Sequence, residues 1–284
     1  VSHQVAPIGV ISARFQRYYN LGQPMTIPIY QVDAFTLGPF SGNPAAVCPL
    51  DAWPGDDTLQ GIAAENNLSE TAFVVASETG YELRWFTPAI EVDLCGHATL
   101  AAGYVILNHL RPARDSVTFD TMSGSLVVSR DGDRLAMDLP ARAPTPVAVS
   151  EALTDALGEA PVEVHLSRDI LAVYEDEASV RGLSPDQARL LALDEGLGVI
   201  VSAKGDTVDF VSRFFVPKAG IAEDPVTGSA HCTLVPFWAE RLGRAKLVAQ
   251  QVSPRGGELH CEHRGDRVII SGQCRLFLTG SIHL

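Results

Sequence analysis

Apolar and polar residues along this chain form short strand-like blocks, interrupted by two long apolar stretches that each open on a glycine. Residues 27–35 (I-P-I-Y-Q-V-D-A-F), 69–75 (S-E-T-A-F-V-V) and 81–86 read as strands, and residues 45–48 are a further apolar run. Residues 36–44 (T-L-G-P-F-S-G-N-P) carry strong turn chemistry. Leu59, Ile62, Ala63 and Leu68 recur close to helical spacing, with Asp56 or Asp57 as the expected cap. Strand patterns follow at 116–119, 125–129 and 134–139. Residues 96–110 carry no charge and are apolar on every side, so a helix there must be buried all round. The economical arrangement is a helix enclosed by a curled sheet.

The second half runs through the same programme. A helix is expected near 150–157, strands at 162–166 and 170–173, a helix at 185–193 and strands at 198–202 and 209–216. The second glycine-opened helix spans 228–242, and Pro236 should kink it because proline removes a backbone donor. Residues 250–278 read as closing hairpins about Arg255-Gly256-Gly257 and Arg264-Gly265-Asp266, with a final strand that could pair with either half. The stretch 140–146 (P-A-R-A-P-T-P) is the best linker. The expected organisation is a leader or expression extension at 1–24, ahead of the first Met at 25, then domains at 25–139 and 147–284.

The halves also share a motif. Residues 84–98 read R-W-F-T-P-A-I-E-V-D-L-C-G-H-A and residues 213–230 read R-F-F-V-P-K-A-G-I-A-E-D-P-V-T-G-S-A, with three extra residues in the second gap. Arg84 echoes Arg213, Glu91 echoes Glu223, and Gly96-His97-Ala98 echoes Gly228-Ser229-Ala230. An echo at half the chain length is not a solenoid period. It predicts two related domains, each with a glycine-opened helix start, facing each other across a site.

Composition narrows the function classes. Of 284 residues, 46% are apolar and 19% charged, which describes a well-cored soluble protein. The net charge of −13 disfavours nucleic acid and anionic membrane surfaces as partners. No apolar run approaches membrane-spanning length, and residues 1–24 lack the pattern of a signal peptide. Five cysteines, none in a C-x-x-C pair, point to reduced thiols and the cytoplasm.

Helix starts carry free N–H groups and a partial positive charge, so Gly96-His97 and Gly228-Ser229 could hold a carboxylate or stabilise an enolate-like oxygen; each glycine could equally be a plain turn residue. Glu70 lies where a polar N-N-L-S turn enters an apolar strand, which would leave its carboxyl partly desolvated and suited to proton transfer to and from carbon; spacing alone also allows a surface carboxylate. His97 could orient a substrate or simply sit in the core. Asp224 could begin a turn before Pro225 or orient a polar group beside Thr227 and Ser229. The Cys-x-His spacing at 95–97 and the His231-Cys232 pair match no usual zinc pattern, so no metal is expected. No G-x-S-x-G, G-x-G-x-x-G or Walker A loop is present. The residues alone thus suggest a cofactor-free acid–base enzyme with its site between two similar domains.

The runs F-S-G-N-P-A-A-V-C (40–48), N-L-S-E-T-A-F-V (67–74), W-F-T-P-A-I-E-V-D-L-C-G-H-A-T-L-A (85–101), E-D-P-V-T-G-S-A-H-C (223–232) and Q-V-S-P-R-G-G (251–257) resemble the PhzF-like family, named after the phenazine biosynthesis isomerase. The resemblance extends from about residue 26 to the C-terminus. It implies an α+β, diaminopimelate-epimerase-like fold: two similar domains, each a curled mixed or antiparallel sheet around a central helix, with the active site in the cleft between them. It further implies a cofactor-independent isomerase, often a homodimer, acting on a small carboxylated substrate. By motif position Glu70 is the proton carrier, His97, Asp224 and Ser229 are the other catalytic candidates, and Asn43, Cys95, Gly96, Thr227 and Gly228 are substrate-binding candidates. The related epimerases place a cysteine before each motif glycine; here the two positions hold Cys95 and Thr227, which argues against a two-thiol racemase. The C-G-H-A version resembles the broader group of PhzF-like proteins of undefined substrate. A Cys95-dependent epimerase and a non-catalytic binding protein that kept the cleft are the alternatives.

Overall fold

The computed structural model of the protein describes residues 25–284. The leader or extension expected at 1–24 lies outside the described residues. The first half contains β1 (Thr26–Ala34), β2 (Asn43–Leu50), α1 (Asp56–Asn66), β3 (Glu70–Ala76), β4 (Tyr81–Phe86), β5 (Glu91–Val92), α2 (Gly96–Val105), β6 (Ser116–Thr121), β7 (Gly124–Asp131) and β8 (Arg134–Pro140). The second contains β9 (Thr145–Val147), α3 (Glu151–Leu157), β10 (Glu163–Leu166), β11 (Ile170–Val173), α4 (Glu177–Gly182), α5 (Gln187–Leu191), β12 (Val199–Lys204), β13 (Phe210–Val216), β14 (Ile221–Asp224), α6 (Gly228–Leu242), β15 (Lys246–Gln251), β16 (Gly257–Arg264), β17 (Arg267–Gly272) and β18 (Cys274–His283).

The sequence echo is an echo of topology. In the first half β1–β2 pair antiparallel, β2–β3 parallel, β3–β4 antiparallel and β4–β6 parallel. In the second half β10–β11, β11–β12, β12–β13 and β13–β15 follow the same sequence of directions. The short strands β5 and β14 fold back on β4 and β13 respectively. The halves join through equivalent strands, β8 against β17, antiparallel. They also trade their last strands: β9, which follows β8, pairs with β10, and β18, which follows β17, pairs with β1. Every strand therefore belongs to one mixed, continuously hydrogen-bonded α+β sheet.

The repeated Arg-x-Phe and Glu are the same device in both halves. Arg84 meets Glu91 through two parallel hydrogen bonds of 2.7 Å, and Arg213 meets Glu223 through bonds of 2.8 and 2.9 Å. Each guanidinium also stacks over its own motif phenylalanine, Phe86 or Phe215. The fork-to-fork geometry staples β5 to β4 and β14 to β13, and so fixes the loop that delivers the following helix.

The uncharged stretch forms α2 and then a wider π turn over Ile106–Leu110, which the Arg111 N–H closes on the Ile106 carbonyl at 2.6 Å. α2 is buried almost all round, against β1, β2, β3, β7 and β8, but the burial expected of the whole stretch stops short of its end, where Asn108 and His109 are exposed. The second central helix, α6, runs unbroken through Pro236. Proline leaves the Cys232 carbonyl without its helical donor, and the Arg142 N–H of the linker supplies one at 2.8 Å. Two smaller cores lie under α1 and under α3–α5.

Two expectations need correction. Gly55, not Asp56 or Asp57, occupies the cap position of α1, and Asp56 instead accepts a hydrogen bond from Arg84 at 2.9 Å. The pattern also missed β5, β9, β14 and α4, each too short to show a period, and began the β15 region four residues late.

Candidate active site

Local chain geometry sets Glu70 in place. α1 ends where Asn67 adopts a left-handed φ of 48°, a conformation asparagine tolerates well, and its N–H closes on the Ala63 carbonyl. The chain then enters β3 at Glu70, beside Ala45 of β2. His97 comes from the first turn of α2. Its Nε2 lies 3.1 Å from Glu70 Oε2, while Cys95 Sγ lies 3.5 Å from its Nδ1. Glu70 Oε2 and His97 Nε2 are both buried, and neither has a partner that meets hydrogen-bond geometry. The close approach is that of an ion pair, and the Glu70 oxygen keeps lone-pair capacity for a further donor.

Burial is the largest influence on His97 and works against its charged form, but Cys95 and Glu70 more than offset it and hold the imidazole well above its usual range. Burial pushes the Cys95 thiol up to about 11, with Glu70 adding to the effect. The thiol is then neutral near pH 7, so Glu70 is the partner that counts for His97.

Asp224 sits opposite, at the end of β14, inside a dense polar cradle. Asn43 Nδ2 donates to its Oδ1 at 2.8 Å and to the Val226 carbonyl at 2.9 Å. The Thr227 hydroxyl donates to its Oδ2. Gln251 completes the frame: its Oε1 accepts the Thr227 N–H at 2.9 Å, and its Nε2 donates to the Asp224 carbonyl at 2.7 Å. Burial raises the Asp224 carboxyl to about 6; Glu70 adds to the rise, while His97, Thr227 and Asn43 oppose it.

The two helix starts face each other. A Cβ placed on Gly96 would stand 3.4 Å from the Gly228 Cα, and one on Gly228 would stand 3.5 Å from the Gly96 Cα. Neither helix has a side-chain cap: Cys95 turns to His97, and Thr227 is committed to Asp224. Their first-turn N–H groups thus present an uncompensated positive end. Beside them opens a cleft of about 520 Å³, lined by Glu70, Cys95, Gly96, His97, Asp224, Thr227, Gly228 and Ser229 together. A larger groove of about 840 Å³ runs beside α6 near Phe237 and His263 but gathers none of these residues.

Of the residues singled out from sequence, only Asn43 does not line this cleft. It is fully buried behind Asp224, which it holds. Gln251 was missed as a positioning residue, although its run (251–257) was conspicuous, because its partners lie 24 and 27 residues away. Arg255, in the same run, donates to the Gly42 carbonyl at 2.8 Å and to Asp33 at 2.9 Å, tying this segment to the 36–44 loop. Arg168 and Lys218 also line the cleft and had no sequence signal.

Glu70, Cys95 and His97 could offer ligand atoms to a metal ion, all within 4.8 Å of one another. The arrangement fits a metal poorly. Cys95 Sγ and Glu70 Oε2 approach opposite nitrogens of the imidazole, so the ring stands between the two other donors.

The sequence profile of a family described as "Phenazine biosynthesis-like protein" matches residues 32–280. A protein described as an uncharacterized isomerase from Pseudomonas aeruginosa is 54% identical over 260 residues, covering 92% of this chain and all of its own. A crystal structure of a phenazine biosynthesis protein of the PhzF family from Enterococcus faecalis superposes with a TM-score of 0.90 at 48% identity, covering 92% of this chain and 100% of that one. A "Predicted Epimerase" from Pseudomonas aeruginosa shares the fold at a TM-score of 0.69 and 19% identity, covering 90% of this chain and 99% of its own.

Proposed function

Since the chain belongs to the phenazine biosynthesis-like (PhzC-PhzF) family, we propose that it is an isomerase that moves a proton between carbons of a small carboxylated substrate, with Glu70 as base and then acid. The observation that carries this reading is the pair of buried atoms, Glu70 Oε2 and His97 Nε2, 3.1 Å apart and without hydrogen-bond partners, beside two uncapped helix starts. A substrate carboxylate has a natural seat at those N–H groups and at the Ser229 hydroxyl. As the Glu70 carboxylate takes a proton from carbon, negative charge spreads into the substrate's conjugated carboxyl group. The helix ends and the protonated His97 then stabilise it. Glu70 returns the proton to a second carbon. Atoms and electrons balance within the substrate, so the step consumes no redox equivalent.

One carboxylate is favoured over two thiols by specific contacts. Cys95 stays a neutral thiol beside His97, and the opposite position is Thr227, whose hydroxyl is bound to Asp224. A purely binding role gives no account of a buried Glu70–His97 pair set beside two uncapped helix starts. Two domains, 25–139 and 147–284, a homodimer and a cytoplasmic location with five free thiols complete the proposal.

The test is hydrogen exchange in deuterium oxide, read by mass spectrometry, on a panel of small unsaturated carboxylic and amino acids. The wild-type protein is expected to introduce deuterium at carbon, Glu70→Gln to lose at least about a thousandfold in rate, and Cys95→Ser to keep most of it. Full exchange by Glu70→Gln would refute the assignment.

A further inference from the structure

Arg168 stands on the turn between β10 and β11 and lines the same cleft as Glu70, His97 and Ser229. The turn itself is anchored. The Leu197 N–H donates to the Arg168 carbonyl at 3.3 Å, Ser167 N–H to the Asp169 carbonyl at 3.1 Å, and the buried Asp169 side chain accepts the Gly198 N–H at 3.1 Å. The Arg168 side chain is exposed, and its guanidinium makes no hydrogen bond or ion pair with any described residue.

The other charges on the cleft wall are placed differently. Glu91 is held by Arg84, and Asp224 by Asn43 and Thr227. Lys218 spends its ammonium on the Gly196 carbonyl at 2.7 Å and the Glu195 carbonyl at 3.3 Å. Asp93 is exposed on the first half. Arg168 is thus the one cation on this wall, among the described residues, with all its donors uncommitted; protonated His97 lies deeper, against Glu70. Apolar side chains, Leu94, Leu197 and Phe214 among them, line the cleft as well.

We propose that Arg168 receives a second carboxylate of the substrate, making the preferred substrate a dicarboxylate whose other end sits at the helix starts. This rests on the proposed seat for a carboxylate at Gly96 and Gly228. A planar guanidinium with free donors matches a carboxylate through two parallel bonds. The apolar wall suits the carbon skeleton that joins the two anionic ends. In a chain of net charge −13, with Glu70, Asp93 and Asp224 around the cleft, a doubly anionic molecule is repelled unless a dedicated cation meets it.

The experiment compares matched acids by isothermal titration: succinate against butyrate, and adipate against hexanoate. At least one dicarboxylate is expected to bind wild-type protein about tenfold tighter than its monocarboxylate partner. Arg168→Gln is expected to bring that ratio to about one while leaving the monocarboxylate affinity unchanged, and Arg168→Lys to keep part of it. Dicarboxylates that bind no tighter than monocarboxylates, or an Arg168→Gln variant that weakens both alike, would overturn the inference and leave the seat at the helix starts standing. Binding of none of the four acids would overturn both.

Discussion

Gly96 and Gly228, 132 positions apart in the sequence, meet backbone to backbone, each so placed that a methyl on one would touch the Cα of the other at 3.4–3.5 Å. That separation is ordinary van der Waals contact, so either glycine alone has room for alanine, but each added methyl points at the other. Gly96→Ala and Gly228→Ala are each expected to fold, with stability within about 1 kcal/mol of wild type, and, on the proposed seat for a substrate carboxylate, to lose deuterium exchange because the methyl would obstruct that seat. The double variant is expected to be destabilised by more than the sum of the two. Strict additivity in urea unfolding would contradict the facing arrangement.

Asn43 donates to Asp224 across 181 residues of chain, and its removal leaves a buried carboxylate short of a donor. Asn43→Ala is expected to cost about 2–3 kcal/mol. Asn43→Asp would set a second carboxyl against Asp224 at the same depth, and is expected to be worse than alanine above pH 6 and to recover as the pH is lowered. Denaturation at pH 7.5 and pH 5 distinguishes these outcomes; equal loss at both would argue that Asn43 only fills space.

The two motif ion pairs share geometry but not burial. Side-chain exposure is 24% and 25% for Arg84 and Glu91, against 11% and 16% for Arg213 and Glu223. Arg213 also donates to the Leu183 carbonyl at 2.7 Å. Removing one partner should hurt more where the remaining charge is deeper. Glu223→Gln is expected to cost about 3 kcal/mol and Glu91→Gln about 1 kcal/mol, as read by thermal unfolding. A reversed order would show that burial is not the deciding factor.

Two buried groups make stability respond to pH in opposite directions. Burial holds His231 uncharged and lowers it from 6.5 to about 4, while its Nδ1–H donates to the Thr227 carbonyl at 2.8 Å. Its contribution is whole above pH 6.5 and is lost as the pH falls toward 4. Asp224 is raised from 3.8 to about 6, so its contribution is whole below 3.8 and is lost as the pH rises through 6. Each is worth about 3 kcal/mol by linkage. Relative to wild type, His231→Leu is expected to become less stable as the pH rises from 4 to 6, and Asp224→Asn to become less stable as it falls over the same interval. Profiles parallel to wild type in both variants would refute the assignment.

Much of this fold was legible because its signals are local. A run without charge marks α2 as a buried helix, alternation marks β4, and the glycine that opens each central helix marks its start. The repeated Arg-x-Phe and Glu mark two related halves in the sequence itself. The short strands β5 and β14 escaped because two to four residues carry no period, and the cap of α1 because Gly55 leaves no side-chain signature.

The sequence by itself thus determined the elements, the doubling and the identities of Glu70, His97, Asp224 and Ser229 as residues to watch. Only the tertiary structure decided what they do to one another. The reciprocal exchange of β9 and β18, the Asn43 and Gln251 cradle around Asp224, the buried pair Glu70–His97 and the uncommitted Arg168 all depend on segments far apart in the chain. Local pattern fixes which face of an element is buried, but not which distant element covers it. The polar partners and charge states of the site follow from that closure: burial is what moves Asp224, Cys95 and His231 from their ordinary values.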